Sequence, residues 1–219
     1  SASIQGNQIL ISRSLLDEVI ETKALSHDKA GDKHYDTISA FIKSVRASDP
    51  DASVYWLARL LMAGEDLMFI ARRLVILASE DIGLADPRAL TIAVSAQQAA
   101  HFVGMPEARI ILSEATIYLA SAPKSNSAYK AINAAMSEIK SSGENPVPLH
   151  LRNPVTGLMS REKYGQGYKY AHDYPEHFVR TENLPENLGS KDFYLPGNLG
   201  YEQFIAERLN KWWKEEYKE

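Results

Sequence analysis

Glycine and proline divide the middle of this 219-residue chain into intervals of nearly equal length. The intervals are 19, 21, 19 and 20 residues long, and their bounds are Gly64, Gly83, Gly104, Pro123 and Gly143. Each has room for one helix and a short connection, because glycine often ends a helix in the left-handed conformation. We therefore predict an all-α fold with about five consecutive helices between residues 36 and 142, preceded by a weaker helix at 12–23.

Proline and acidic capping residues mark the starts of these helices. Asp49 precedes Pro50 and Asp86 precedes Pro87, which places an N-cap before a proline at the first helical position. Helices joined by short connections pack against their neighbours. The sequence therefore predicts a compact, collar-like multi-helix domain.

Two of the predicted helices, 50–62 and 66–82, carry more apolar surface than one partner helix covers. In the second, apolar residues form a stripe at helical spacing while others lie off it. Helices that are apolar on several sides are most often buried in a core, and the alternative is a contact between subunits. The candidate residues for that contact are Trp56, Leu60, Met68, Phe69, Val75 and Ile76.

Beyond residue 143 the chain changes character. The stretch 144–200 contains six of the ten prolines and six of the twelve glycines, so long regular elements are not expected there. Apolar side chains recur between these breakers, which favours an ordered, irregular wrap over disorder. Helical patterning returns at 201–217. We predict a linker or domain end at 1–25, a helical domain at 26–143, and the wrap with its C-terminal helix at 144–219.

Composition excludes several classes of function. The chain has no cysteine, which removes disulfides, thiolate nucleophiles and cysteine-bound zinc or iron–sulfur clusters. Its 28 acidic and 24 basic residues give a net charge of −4, so no bulk electrostatic attraction to nucleic acid is expected. The sequence has no long apolar run and does not start like a signal peptide. We expect a cytoplasmic protein with no membrane contact.

Sequence motifs for chemistry are also missing. No phosphate-binding loop, G-x-G-x-x-G fingerprint, H-E-x-x-H helix or G-x-S-x-G elbow occurs. The stretch 15–18 ends in two acidic residues like a Walker B strand, but it has no phosphate loop to serve. We therefore predict no catalytic residue, cofactor site or metal ligand, and no enzyme activity within these residues.

One window departs from the acidic average. Residues 124–170 hold seven lysines and arginines against three glutamates, and tyrosines alternate with bases near its end. This pattern suits stacking on unpaired bases beside phosphate contacts. The more common explanation is that the tyrosines fill a seam while the lysines stay solvated. The DNA-contact candidates are Lys124, Arg152, Lys163, Tyr168, Lys169 and Tyr170.

Four ordered blocks of sequence resemble one family. They run from Gly31 to Ala52, from Ala71 to Pro87, from Tyr118 to Ser127, and from Pro148 to Asn153 with Tyr164 to Tyr174. These blocks are similar to the region that follows the ATPase module in the RarA/MgsA family, related to the eukaryotic Werner helicase-interacting ATPase. The resemblance covers about 31–200. Position 47 is Ala where many relatives have Gly.

The resemblance implies a clamp-loader-like AAA+ protein that acts at stalled replication forks and in recombination. It implies that this region assembles a homotetramer, that residues 1–25 end the ATPase lid region, and that ATP and Mg²⁺ bind in an ATPase module outside this chain. It further implies DNA, single-stranded or forked, and replication-fork proteins as partners, and association with the nucleoid if the source is bacterial. The alternative from the residues is a DNA-binding module that uses the tyrosine-rich stretch 124–174.

Overall fold

The computed structural model describes residues 3–5, 8–10, 13, 32–156, 159 and 162–213. Within them lie a two-stranded antiparallel hairpin, in which Ile4 pairs with Ile9, and seven α-helices. The strands are β1 Ser3–Gln5 and β2 Gln8–Leu10. The helices are α1 Asp32–Arg46, α2 Pro50–Met62, α3 Leu67–Leu77, α4 Arg88–Val103, α5 Ala108–Ser121, α6 Ser127–Ser142 and α7 Glu202–Trp213.

The predicted all-α class is confirmed, with the small hairpin as an addition that the sequence did not indicate. Six helices, rather than about five, lie between residues 32 and 142. The break between α1 and α2 contains no glycine, since Ser48 itself adopts the left-handed conformation, with φ 61°. The predicted helix at 12–23 lies outside the described residues, apart from Arg13.

Helix starts follow the predicted capping pattern. The Asp49 carboxylate accepts the Ala52 N–H at 2.9 Å, with Pro50 in the first turn of α2. At α4 the pattern is shifted by one residue: Pro87 is the N-cap position, and the Asp86 carboxylate before it accepts the N–H of Arg88, the first residue of the helix, at 3.2 Å. An unpredicted cap, Asp66 on the Phe69 N–H at 2.7 Å, begins α3. These caps satisfy N–H groups that have no partner inside a helix.

Contacts within the chain divide it into two compact units, Ser1–Asn126 and Ser127–Glu219. We call them unit 1 and unit 2. The division after Asn126 comes one helix before the predicted boundary at residue 143, because α6 groups with the proline- and glycine-rich segment. No helix among the described residues is long and apolar enough to cross a membrane.

Unit 1 is built around one aliphatic core. Phe41 of α1, Leu57 of α2, Leu74 of α3 and Leu119 of α5 are at most 2% exposed and pack in the same cluster. Helix α4 contributes small residues at helical spacing, Ala89, Ala93, Ala96 and Ala100. Small side chains let neighbouring helices approach closely, so α4 packs at short distance against one side of this core.

Unit 2 combines α6 and α7 with irregular chain. Between these helices, the described residues include short 3₁₀ turns at Leu149–Leu151, Ala171–Asp173, Pro175–His177 and Glu186–Leu188. The buried centre is polar: Ser127 at the start of α6 donates to Glu202 at the start of α7. The Tyr194 hydroxyl donates to the same carboxylate at 2.9 Å. These bonds tie the two helices and the segment before α7 together.

Candidate functional site

Three of the family-like blocks meet at one junction in unit 1. Helix α3 continues into a π-helical turn, Ala78–Ile82, which carries Glu80 and the buried Asp81. Arg46 at the end of α1 donates to both Asp81 oxygens, at 2.5 and 3.3 Å, and to Glu80 at 3.4 Å. A two-pronged arginine–carboxylate pair fixes orientation as well as distance. It therefore locks the end of α1 onto the turn after α3.

Gly83 follows this turn and is required by its surroundings. Its φ is +49°, and an added Cβ would lie 2.9 Å from the carbonyl oxygen of Ser125. The Ser125 N–H donates to the Asp81 carbonyl at 2.8 Å, which holds the two segments this close. Where φ is positive and another main chain lies this close, only glycine fits without distortion. The close contact with Ser125 therefore explains why glycine occupies position 83 of the block from Ala71 to Pro87.

Lys124 belongs to the same junction and is half-buried. Its ammonium donates to the carbonyls of Ala120 at 3.0 Å and Ala122 at 2.7 Å, and to the Ser48 hydroxyl at 2.9 Å. Burial lowers the pKa of Lys124, and the charge of Asp81 acts in the opposite direction. With its three donors engaged, Lys124 caps the C-terminal end of α5. These bonds leave Lys124 less accessible than the exposed candidates, and its role as a DNA contact stays a prediction.

A second carboxylate, Asp86, binds the start of α4 to α5. It accepts hydrogen bonds from the Arg88 guanidinium, at 2.9 and 3.2 Å, and from the Tyr118 hydroxyl. Burial alone would raise the pKa of Asp86, but the hydrogen bonds from Arg88 and Tyr118 outweigh it and the pKa is lowered. Burial and the bond to Asp86 raise the pKa of Tyr118. The paired charges stabilise an interhelix contact.

Metal binding has no candidate site in the described parts of the chain, where no cluster of three or more histidine, aspartate or glutamate side chains could hold an ion.

The sequence-derived contact residues divide into core and partly exposed positions. Leu60 is 2% exposed and belongs to the core, so it offers no surface to a second subunit. Four others are partly buried and pack against that core: Trp56, Met68, Phe69 and Val75. Ile76 is 36% exposed. The breadth of apolar surface on α2 and α3 is therefore used mostly within unit 1.

Exposed apolar surface lies elsewhere, on α6. Tyr129, Ile132, Met136 and Ile139 are each at least half exposed. Their spacing of three, four and three residues puts them on one stripe, which is the seam pattern of paired helices. The opposite face holds Glu138, which is bonded to Lys191. Helix α6 thus has one face anchored within unit 2 and one apolar face in solvent.

A second exposed apolar patch lies in unit 1, where α4 ends and α5 begins. Phe102 is 90% exposed, and Val103, Met105 and Ile110 are between 46% and 58% exposed. Large apolar side chains grouped in solvent commonly mark interaction surfaces. Neither patch was among the sequence candidates, although the α6 spacing was readable in the sequence.

Of the DNA-contact candidates in unit 2, Arg152 is already engaged. Its guanidinium donates to the Val147 carbonyl at 2.6 Å and lies over the Tyr164 ring, 5.1 Å from the centroid. The others are exposed: Lys163, Tyr168, Lys169 and Tyr170. The structure therefore leaves four of the six candidates accessible to a ligand.

Two family models match the chain. The model for the MgsA AAA+ ATPase C-terminal region covers residues 47–213, and a model for an AAA C-terminal domain covers residues 1–46. The two matches adjoin between Arg46 and Ala47. The blocks identified in the sequence lie largely within the first of these matches.

Curated relatives agree with the family models. The chain is 48% identical over 202 residues to an uncharacterized AAA domain-containing protein of Mycobacterium tuberculosis. It is 47% and 42% identical to the replication-associated recombination protein A of Coxiella burnetii and of Escherichia coli K12. These alignments cover 92%, 94% and 91% of this chain but 45%, 47% and 45% of the relatives. The chain spans less than half of their length.

Proposed function

Because this chain belongs to the RarA/MgsA family of AAA+ ATPases, we propose that it assembles the subunits of a homotetramer acting in replication-associated recombination. It performs no chemistry. ATP and Mg²⁺ bind in the ATPase module of the whole protein, and this region holds the modules at a fixed spacing around DNA. Joining the modules raises their effective concentration. A nucleotide-driven conformational change in one module can then alter the conformation of the next.

The observation that carries the proposal is the exposed stripe on α6. Its spacing is symmetric about a point midway between Ile132 and Met136. In an antiparallel pair of α6 helices, Ile132 therefore faces Met136 of the second copy, and Tyr129 faces Ile139. A self-complementary face is what a two-fold contact between identical chains requires. The second copy of this chain is thus the natural occupant of the stripe.

A tetramer with two-fold symmetry needs a second, different contact between copies. The patch around Phe102 supplies one, since it lies in unit 1 and does not overlap α6 in sequence. In this proposal one patch makes dimers and the other joins two dimers. The positions proposed from the sequence on α2 and α3 contribute little area to the contacts between copies, because they mostly pack against the core of unit 1.

The test is the solution mass of the 219-residue chain by light scattering over a concentration series. We expect a species near four times 24.4 kDa. The double variant Ile132→Glu, Ile139→Glu removes one contact and Phe102→Glu, Met105→Glu the other, so each is expected to halve the mass. Tyr55→Glu is the matched control, since Tyr55 is exposed on α2 and lies outside both patches.

A chain that is monomeric at every concentration would overturn the assembly function. A tetramer that persists in the α6 variant, with circular dichroism unchanged, would overturn the α6 contact alone. Control and double variants should show the same helical content, because all the substituted side chains are exposed.

A second function, single-strand or fork DNA binding, is supported by four accessible side chains. Two exposed lysines, Lys163 and Lys169, alternate with the exposed rings of Tyr168 and Tyr170. We expect salt-dependent binding of single strands, weakened when both lysines are replaced by glutamate. The absence of binding at low salt would dismiss this function without touching the first.

A further inference from the structure

Unit 2 contains a cavity of about 380 Å³ next to the exposed tyrosines. This volume lies within the range of roughly 300–1,000 Å³ that is typical of small-molecule sites. Four aromatic side chains line it: Tyr168, His177, Phe178 and Trp213. The cavity therefore offers flat apolar faces in a space suited to a planar ring.

Two of the aromatic walls are held rigidly. The Phe178 ring lies parallel to Trp212, with centroids 5.1 Å apart and 6° between the planes. It meets Trp213 edge-on at 5.5 Å. Such paired rings restrict one another's rotation, so the wall is formed before any ligand arrives.

The third wall, His177, is set by an unusual turn. Glu176 and His177 both have positive φ, 53° and 54°. Side chains of this kind rarely adopt that conformation, and where they do, it often marks a ligand site. Glu176 is fixed to α7, since it accepts hydrogen bonds from the Lys211 ammonium and from the Trp212 indole at 3.2 Å. The turn is thereby braced so that His177 lines the cavity.

Polar groups complete the lining. The Asn183 carbonyl oxygen lies 3.3 Å from both His150 Nε2 and Thr181 Oγ1. Among the described residues its amide nitrogen has no hydrogen-bond partner, so it is available to donate to a ligand carbonyl. Lys169 also lines the cavity and is exposed, which places a cation beside the aromatic faces.

We propose that this cavity binds one unpaired base of single-stranded DNA, with Lys169 at an adjoining phosphate. The inference rests on the DNA-binding function above and assigns it a site. Aromatic faces stack on any base, the Asn183 amide can meet a base edge, and the lysine matches the phosphate. An apolar peptide side chain would fill the same volume but would make no use of the Asn183 amide or of the Lys169 charge, which lie at its edge.

The test compares side chains inside and outside the cavity within one short segment. Tyr168 and Lys169 line the cavity, whereas Tyr170 and Lys163 are exposed in the same stretch and do not. Binding of a fluorescently labelled oligothymidylate is followed by anisotropy across a salt series. Circular dichroism checks that each variant remains folded.

We expect Tyr168→Ala to weaken binding by about tenfold, as loss of one stacked base does. Its salt dependence should stay as in the parent chain, and Tyr168→Phe should restore most of the affinity. Lys169→Gln should instead reduce the slope of log affinity against log salt by about 0.7, the value for one phosphate of a single strand. Tyr170→Ala should weaken binding less than Tyr168→Ala, and Lys163→Gln less than Lys169→Gln, because Tyr170 and Lys163 do not line the cavity.

Equal losses in the cavity and control variants would overturn the cavity site while leaving DNA binding intact. Binding of thymidine monophosphate as tight as that of the oligomer would also overturn it, in favour of a free-nucleotide site. A parent chain that does not bind the oligomer at low salt would overturn both the cavity and the DNA-binding function.

Discussion

Unit 1 and unit 2 are stabilised in different ways. In unit 1, aliphatic side chains from five helices are fully buried in one cluster. In the described part of unit 2, the buried residues are Ser127 and Glu202, which are polar and bonded to each other. Unit 1 therefore combines an apolar core with the exposed patch around Phe102, whereas the described part of unit 2 has no fully buried apolar side chain.

This difference indicates where partners bind. A helix whose apolar residues mostly pack on its own core, such as α3, has little apolar surface to offer a second molecule. Unit 2 retains an apolar stripe on α6 and an aromatic-lined cavity, both accessible. Surfaces of this kind persist in proteins mainly where something else covers them. We therefore expect substitutions in the core of unit 1 to change stability first, and substitutions on the α6 stripe, in the cavity or in the Phe102 patch to change binding first.

The largest expected effect is in the core of unit 1. Leu74 of α3 is fully buried, so Leu74→Ala should lower the free energy of unfolding by about 3 kcal/mol, because it removes apolar contacts and leaves a cavity. Urea denaturation gives this value. Ile139→Ala on the exposed face of α6 is the control, and it should change the free energy by less than about 0.5 kcal/mol in dilute solution. Similar losses in both would contradict the contrast between the units.

Gly83 gives the next largest effect. Gly83→Ala combines a left-handed backbone with a close approach to the Ser125 carbonyl oxygen, so we expect a loss of about 2 kcal/mol. Gly104 separates the two contributions: its φ is +72°, but no atom lies within 4 Å of an added Cβ. Gly104→Ala should therefore lower the unfolding free energy by only about 1 kcal/mol. Equal losses would mean that the contact with Ser125 is relieved by a small shift.

The helical core could be predicted from the sequence because its signals are local. The Asp49–Pro50 cap and the apolar stripe of α3 depend on residues within a few positions of one another. The number of helices was underestimated because the connection between α1 and α2 contains no glycine: its left-handed residue is Ser48. Family resemblance supplied the position of the conserved blocks, and the junction around Asp81 shows what they do in unit 1.

The candidate surfaces were harder to predict because exposure depends on the tertiary fold. Leu60 and Ile76 look alike in sequence, yet one is buried and the other is partly exposed. Lys124 falls in a basic window, but its ammonium binds carbonyls at the end of α5. The cavity of unit 2 brings His150 next to Asn183, which are 33 positions apart, and no spacing rule relates them.

Asp86 in unit 1 and Tyr194 in unit 2 should respond to opposite extremes of pH. Asp86 in unit 1 has a pKa below its ordinary 3.8, so its contribution is present above pH 3.8 and is lost as the pH falls through the folded-state pKa. Tyr194 in unit 2 is the reverse: burial and the bond to Glu202 raise its pKa from 10.0 to about 12. Its contribution is complete below pH 10.0 and is lost as the pH rises towards about 12.

Tyr194→Phe should therefore cost about 1 kcal/mol at neutral pH, the value of one hydrogen bond, and should abolish the alkaline loss. Asp86→Asn should abolish the acid loss and leave the alkaline one. Tryptophan fluorescence follows one unit at a time in variants that keep either Trp56 of unit 1 or Trp212 and Trp213 of unit 2, with phenylalanine at the other positions. Loss of both units together at one extreme would show that they unfold as a single cooperative body.

The smallest expected effect concerns the ion pair between Lys191 and Glu138, which anchors the inner face of α6. The lysine side chain is 48% exposed, so Lys191→Ala should reduce the free energy of unfolding by no more than about 0.5 kcal/mol. The same substitution is more informative in the light-scattering experiment. If the pair orients α6 so that its stripe faces a second copy, the association constant should fall while the fold is retained. An unchanged association constant would show that the polar bond between Ser127 and Glu202 suffices to orient the helix.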